Sequence, residues 1–499
     1  MNSRSDQRKT LALVAAGAAA LFLGLAITWL DVKWLTVGLL GLVAVGWVFR
    51  DYRVGVVCLT MLMPWSFSTL LPQTYGFNLI NFIVLASVVS LGIQRTFGAR
   101  GIVHLPKVVW WCYLLPIAVG VVVAWPHLPQ GIANFPPLAS GEPSLFAPQN
   151  FLKTVIAKPL FFVLYALLLA NAVRDSNVPR RFFIPYAISA LLSAGVIIAD
   201  VLINGGSVTD RSTFLLDLGM HPNEYGMQLA LAAGPLLFLT VGSSSRWARL
   251  LWGVAFACVS LALLLTGSRG AALSYLIVLA VWLLHRRKFT DLLWIAALVA
   301  VLLVSVPESF RERLTLGLDD IGSASVHKDD DELTKGRFAS WALLAPEILD
   351  SPVWGQGVGA TAWNAATTSG RYGASHPHNM YLEILLDVGV LGFLALMYLY
   401  YRYARAFRLL SRDSQVSPIE RDFFHGALAS LLGMAAMAMT NGHWMPHPEQ
   451  AFLWFALGFA YAYWSLTQPV RERMSQIFPA TSKRSSELLS RQHGASSRS

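Results

Sequence analysis

The hydrophobic positions of this chain neither alternate as in a half-buried strand nor recur every three to four residues as on an amphipathic helix. They run together in long blocks. Blocks long enough to cross about 30 Å of hydrocarbon, which takes about 20 helical residues, lie near 10–30, 34–49, 54–71, 79–98, 107–125, 154–173, 182–204, 223–242, 248–267, 270–285, 289–307, 380–401, 422–440 and 450–467. The pattern predicts an all-α polytopic membrane protein of fourteen spans, or twelve to fourteen because the second and tenth blocks are short. The opening block, LALVAAGAAALFLGLAITWL, follows Arg4, Arg8 and Lys9, is longer than a signal-peptide core and lacks a clear cleavage site, which predicts a retained first span.

The polar positions between the blocks orient them, because Lys and Arg accumulate in cytoplasmic connections. With the N-terminus inside, the inner connections carry Arg50 and Arg53; Arg95, Arg100 and Lys107; Arg174, Arg180 and Arg181; Arg246 and Arg249; Arg286 to Lys288; and five arginines between 402 and 421. With the two termini, these account for 27 of the 38 Lys and Arg. An even span number puts both termini in the cytoplasm, and the basic, Ser-rich stretch 468–499 reads as a disordered tail.

Composition agrees: the 499 residues are 55% hydrophobic and 13% charged. The net charge of +10 is absorbed by the inner connections, so no nucleic-acid partner is implied. Cys58, Cys112 and Cys258 sit inside apolar blocks without metal-ligand or disulfide spacing. No P-loop, GxSxG or HExxH occurs, and GQGVG at 355–359, with no strand before it, reads as a turn.

Three outer connections are long. Residues 126–152 are Pro-rich and read as an ordered loop or cap, and 205–222 form a second loop. The largest, 308–378, carries ten acidic and six basic side chains and is the nearest thing to a separate domain. The chain thus divides into eleven spans over 1–307, the loop 308–378, three spans over 379–467 and the tail 468–499. Within the loop, Phe338, Trp341, Leu344 or Ala345, and Ile348 fall at helical spacing, predicting a helix along the membrane surface or over a cavity. KDDDE at 328–332 lacks the spacing of a calcium loop, and no metal is assigned to it.

Candidate chemistry gathers at the outer face, where bases outside the large loop are scarce: Lys33, Lys153, Lys158, Arg211 and Arg269. Arg269 lies in a glycine-flanked turn, TGSRGA, that lets a ligand approach backbone and guanidinium together. Arg211 precedes the PNEYG helix start, and two guanidiniums side by side would bind a diphosphate without a metal. Lys158 either adds a third charge or reaches lipid headgroups. His378 stands at the mouth of the block at 380, where a helix N-terminus favours a neutral, proton-accepting ring; Asn379, or His378 itself, caps the helix. His376 reads as spare. Glu383 and Asp387, four apart on one inward face, are expected to pair with a base such as Arg269, Arg211 or Lys158, with Gly389 and Gly392 as a close-packing seam.

His378, Asn379, nine residues, Gly389, two residues and Gly392 resemble the H-[NSQ]-x9-G-x2-G signature of the O-antigen ligase and polymerase superfamily. SRG at 268–270 and Arg211 ahead of Pro222-Asn223 add to the likeness, although fourteen spans exceed the twelve usual for the ligase. The resemblance implies a glycosyltransferase C-like fold in the bacterial inner membrane and a periplasmic active site. It implies transfer from an undecaprenyl diphosphate-linked glycan donor to an acceptor glycan, a lipid A core or a second lipid-linked unit. Arg211 and Arg269 would hold the diphosphate, His378 would activate the acceptor hydroxyl, and no cofactor is implied. The competing class is a transporter or lipid-linked glycan flippase, which usually shows internal repeats and polar groups near the midplane. Here the polar groups gather at one face instead.

Overall fold

A computed structural model describes residues 46–66, 73–74, 77–96, 101–136, 144–203, 220–286, scattered positions from 290 to 308, 337–373, 376–440, 442–445 and 447–467. The first predicted span, most of the second, the tail and Arg211 lie outside the described residues.

The described chain is a helical bundle. In order come α1 (Tyr52–Leu62), α2 (Leu79–Thr96), α3 (Lys107–Asn134), α4 (Pro148–Asp175), α5 (Pro179–Ile203), α6 (Pro222–Gly242), α7 (Arg246–Leu265), α8 (Arg269–Arg286), α9 (Arg337–Asp350), α10 (Met380–Leu410), α11 (Pro418–Met437) and α12 (Ala451–Ala462). Among the described residues, eight of these, α2 to α8 and α10, are long and apolar enough to cross a membrane. The chain is an all-α polytopic membrane protein. Among the described residues, the extended backbone that pairs is one antiparallel contact, Gln73–Thr74 with Phe77–Asn78.

Start signals are local. Pro222 follows His221, whose Nδ1 accepts from the Asn223 amide while Glu224 accepts from the His221 amide. Pro418 follows Ser417, whose amide donates to Glu420. Helix α6 is apolar all round and 83% of its spanning window is buried, so it is the central helix of the bundle.

Small residues bring helices into backbone contact, as expected where lipid removes the hydrophobic drive for helix association. A Cβ on Gly234 of α6 would lie 2.4 Å from the Gly426 carbonyl of α11, and one on Gly433 would lie 2.5 Å from Ser274 Oγ of α8. These contacts run α11 antiparallel to α6 and α8. The beginnings of α6 and α8 and the end of α11 therefore meet at one end of the bundle, hereafter the rim.

Two elements depart from the sequence reading. The segment 126–152 is not a loop throughout: α3 runs on to Asn134 and α4 begins at Pro148. The predicted span at 380 is broken, with Gly389 at φ 64 and ψ −170 inside α10. The break strands backbone groups, and the loop of 352–357 supplies their partners. Gln356 and Gly357 donate their amides to the Leu386 and Asp387 carbonyls at 2.7 and 3.0 Å, while Val390 donates to the Pro352 carbonyl at 2.8 Å. Gly355, Gly357 and Gly359 all have positive φ, and a Cβ at Gly355 would overlap the Asp387 backbone at 2.4 Å. GQGVG is thus a turn, as its sequence indicates, and one that fills the break in α10.

Candidate active site at the rim

The turn before α8 sets Arg269. Gly267 takes φ 57, the Ser268 hydroxyl accepts from the Ala271 amide at 3.3 Å, and α8 begins with Arg269 at the rim. Gly270 faces Thr440 and Met437 at the end of α11. On the other side of this α11 terminus, the Met380 amide donates to the Ala438 carbonyl at 2.9 Å and the Tyr381 hydroxyl to the Ala435 carbonyl at 2.6 Å. Arg269 and the start of α10 therefore flank one segment, 435–440.

Helix α9 closes this group. The indole of Trp341 donates to the Pro377 carbonyl at 2.9 Å, docking α9 against the His376-Pro377-His378 turn. Arg337, one turn before Trp341, neighbours Arg269: burial and the Arg269 guanidinium both push Arg337 below its ordinary value. Sequence reasoning missed Arg337. Its only signal was a base one helical turn from an aromatic residue in an otherwise acidic loop. Helix α9 itself forms as expected, with Leu344 buried, Trp341 and Ile348 partly buried, and Phe338 exposed.

His378 is exposed at the rim and is the one non-glycine residue with positive φ (51) among the described residues, a conformation that costs a residue bearing a Cβ about 1 to 2 kcal/mol. Asn379 caps α10: its side-chain oxygen accepts from the Tyr381 and Leu382 amides at 3.0 and 3.2 Å.

Among the described residues, the carboxylates have partners that the sequence reading did not name. Glu383 Oε1 lies 3.0 Å from His443 Nδ1, and its Oε2 lies 3.4 Å from both His376 Nε2 and the Trp444 amide. Asp387 accepts from the amides of Gly359 and Ala360 at 3.0 and 3.1 Å and from the Trp444 indole at 2.9 Å. One and two turns inside α10, these groups reach the 442–445 segment and the inserted loop. Gly389 and Gly392 are not a helix–helix seam. A Cβ on Gly389 would lie 2.4 Å from the Val353 carbonyl, and one on Gly392 would meet the Val388 side chain of the same helix.

Nor is His376 spare. Its ring lies 3.9 Å from that of His443, centroid to centroid, and its Nδ1 accepts the His378 amide at 2.9 Å. Burial works against a charged ring at His443, but the adjoining Glu383 carboxylate outweighs it and lifts His443 to about 9. Burial and then this charged neighbour push His376 below the usual imidazole value.

Donor atoms of His376, Glu383 and His443 lie within 4.8 Å of one another and are of metal-ligating types. Nδ1 of His376 takes the His378 amide, however, which leaves the ring proton on Nε2, facing Glu383. A metal on Nε2 would require that proton to move to Nδ1, where it would meet the His378 N–H. The trio is therefore an ionic group centred on Glu383, hydrogen-bonded to His443 and at ion-pair distance from His376.

Lys158 begins the regular part of α4, after a π-helical turn at Lys153–Ala157. Burial, His443 and then Lys158 hold His447 well below its ordinary value, and His447 stacks on His443 at 4.4 Å. Lys158 thus lies on the same side of the bundle as His447. The structure brings His378, Asn379, Glu383, Arg269 and Lys158 to one end, with Asp387 two turns in from it.

Bundle and rim together define a multi-pass membrane protein with a basic and histidine-rich site at one end. Residues 254–397 match the family described as O-antigen ligase, which bears out the superfamily likeness and connects the chain, at family level, to glycosyl transfer in polysaccharide assembly. The matched stretch contains Arg269, Arg337, His376, His378 and the broken part of α10. No curated protein matches the chain.

Proposed function

We propose that the protein is an inverting glycosyltransferase that joins an undecaprenyl diphosphate-linked glycan to an acceptor hydroxyl at the periplasmic face of the inner membrane, as an O-antigen ligase or a related polysaccharide polymerase does. The observation that carries this reading is the convergence of Arg269, Arg337 and an exposed His378 around the 435–440 segment. The acceptor oxygen attacks the anomeric carbon and its proton passes to the His378 imidazole, while the bond from that carbon to the diphosphate oxygen breaks. Arg269, Arg337 and, from the sequence, Arg211 carry the charge of the departing diphosphate, with Lys158 as a further cation. Guanidiniums do here what a metal ion does in other diphosphate-releasing enzymes. Asn379 keeps α10 capped directly behind the base.

Glycan transfer by purified protein, with donor extracted from a strain lacking the gene, tests the assignment. His378→Ala is expected to lower turnover by about 100- to 10,000-fold, the usual contribution of a general base. Transfer at the wild-type rate by a folded His378→Ala protein would show that the base is another group.

A further inference from the structure

We propose that His376 is a positioning residue: its Nδ1 holds the His378 amide and thereby fixes the left-handed turn that presents the base. This rests on the reading of His378 as the base.

A left-handed residue with a side chain persists only where its surroundings over-determine it, and each main-chain polar group from the His376 carbonyl to the His378 amide is held. The Tyr372 hydroxyl donates to the His376 carbonyl at 2.9 Å. The Trp341 indole donates to the Pro377 carbonyl at 2.9 Å. The His378 amide donates to His376 Nδ1 at 2.9 Å. Immediately after the turn, the Asn379 cap and the bond from the Met380 amide to Ala438 fix the start of α10.

A side chain that accepts the amide two residues further on is the arrangement of an Asx turn, normally made by Asn or Asp. Histidine adds a second edge. Its Nε2 faces Glu383 at 3.4 Å, and Glu383 is itself held by His443 and the Trp444 amide. Acceptance at Nδ1 leaves the proton on Nε2, and the carboxylate beside that edge suits the same tautomer. The chain from the 442–445 segment through Glu383 and His376 thus ends on the backbone of His378. His376 does not reach the reacting atoms; it sets where the His378 ring points.

Three substitutions separate acceptance at Nδ1 from filling of the site. His376→Asn keeps an acceptor at the Nδ1 position, His376→Gln extends toward Glu383 but lacks that acceptor, and His376→Leu lacks both. With the full-length protein in detergent and the donor extracted as above, His376→Asn is expected to retain turnover within about threefold of wild type. His376→Gln and His376→Leu are expected to fall about 10- to 100-fold in kcat, the scale of an ångström-level misplacement, with donor KM unchanged. Melting temperature and size-exclusion profile confirm folding of each variant, and if the Leu variant does not fold, the Asn and Gln pair decides alone.

Asn as slow as Gln or Leu, Gln as fast as Asn, or a rise in donor KM in place of the kcat loss overturns the positioning role. If His378→Ala is inactive in the same assay, the base reading survives that failure. Wild-type turnover by His378→Ala removes the base reading, and the inference with it.

Discussion

At the residue scale, the rim is governed by one charged contact. Glu383 and His443 stand 3.0 Å apart, largely out of water, and His443 is raised to about 9. A group whose folded value lies above its unfolded one contributes stability that is fully present below the unfolded value, near 6.5, and is lost as pH rises through the folded value. Thermal melting in detergent is therefore expected to hold steady below about pH 6.5, fall as pH rises from there to about 9 and level off above it. His443→Gln should melt lower in mildly acidic buffer and lose that decline; an unchanged decline would assign it elsewhere. The capping role of Asn379 could be read from adjacent residues, and the rim position of Arg269 followed from a turn between two apolar blocks. The partners of Glu383 could not be read, because they come from residues 60 positions later in the chain and from a turn whose left-handed residue the sequence does not announce.

At the element scale, the break in α10 is the feature that most shapes the site. Gly389 combines positive φ with the Val353 carbonyl 2.4 Å from where a Cβ would sit. Gly389→Ala is expected to destabilise the protein by about 2 to 4 kcal/mol, in the range of substitutions that combine strain with a backbone clash. The expected readout is a clear drop in melting temperature. Gly392→Ala should cost less, since the atoms it meets belong to the movable Val388 side chain. Equal melting of the two variants would contradict this account of the break. The apolar block at 380–401 was legible as a span because apolar residues run through it on both sides of Gly389, and for the same reason the break was not. Hydrophobicity does not change where the helix stops hydrogen-bonding to itself and takes partners from 352–357.

At the scale of the whole molecule, the bundle was legible because a bilayer demands blocks of about 20 apolar residues, and eight such helices are present among the described residues. The antiparallel seams of α11 with α6 and α8 were not, since glycines at 234, 426 and 433 give no sequence sign of which helix they meet. The proposed reaction makes a prediction at this scale. Deleting the gene in its own host should cause lipid-linked glycan to accumulate on the outer leaflet, as long chains if the protein is a ligase and as single repeat units if it is a polymerase. Units trapped on the cytoplasmic leaflet would instead identify a flippase.

The reach of Glu383 and Asp387 to His443 and Trp444 also fixes a time order. A ribosome delivers the chain from its N-terminus, so the Arg269 turn, α9 and the His376-Pro377-His378 turn all leave it before the groups that complete the rim. Until the segment 443–444 has emerged and α11 has been inserted to carry it there, Glu383 lacks its cation and Asp387 its indole donor. The rim is therefore assembled only once α11 and the segment after it have been made, and a growing chain lacks the complete group of side chains until then.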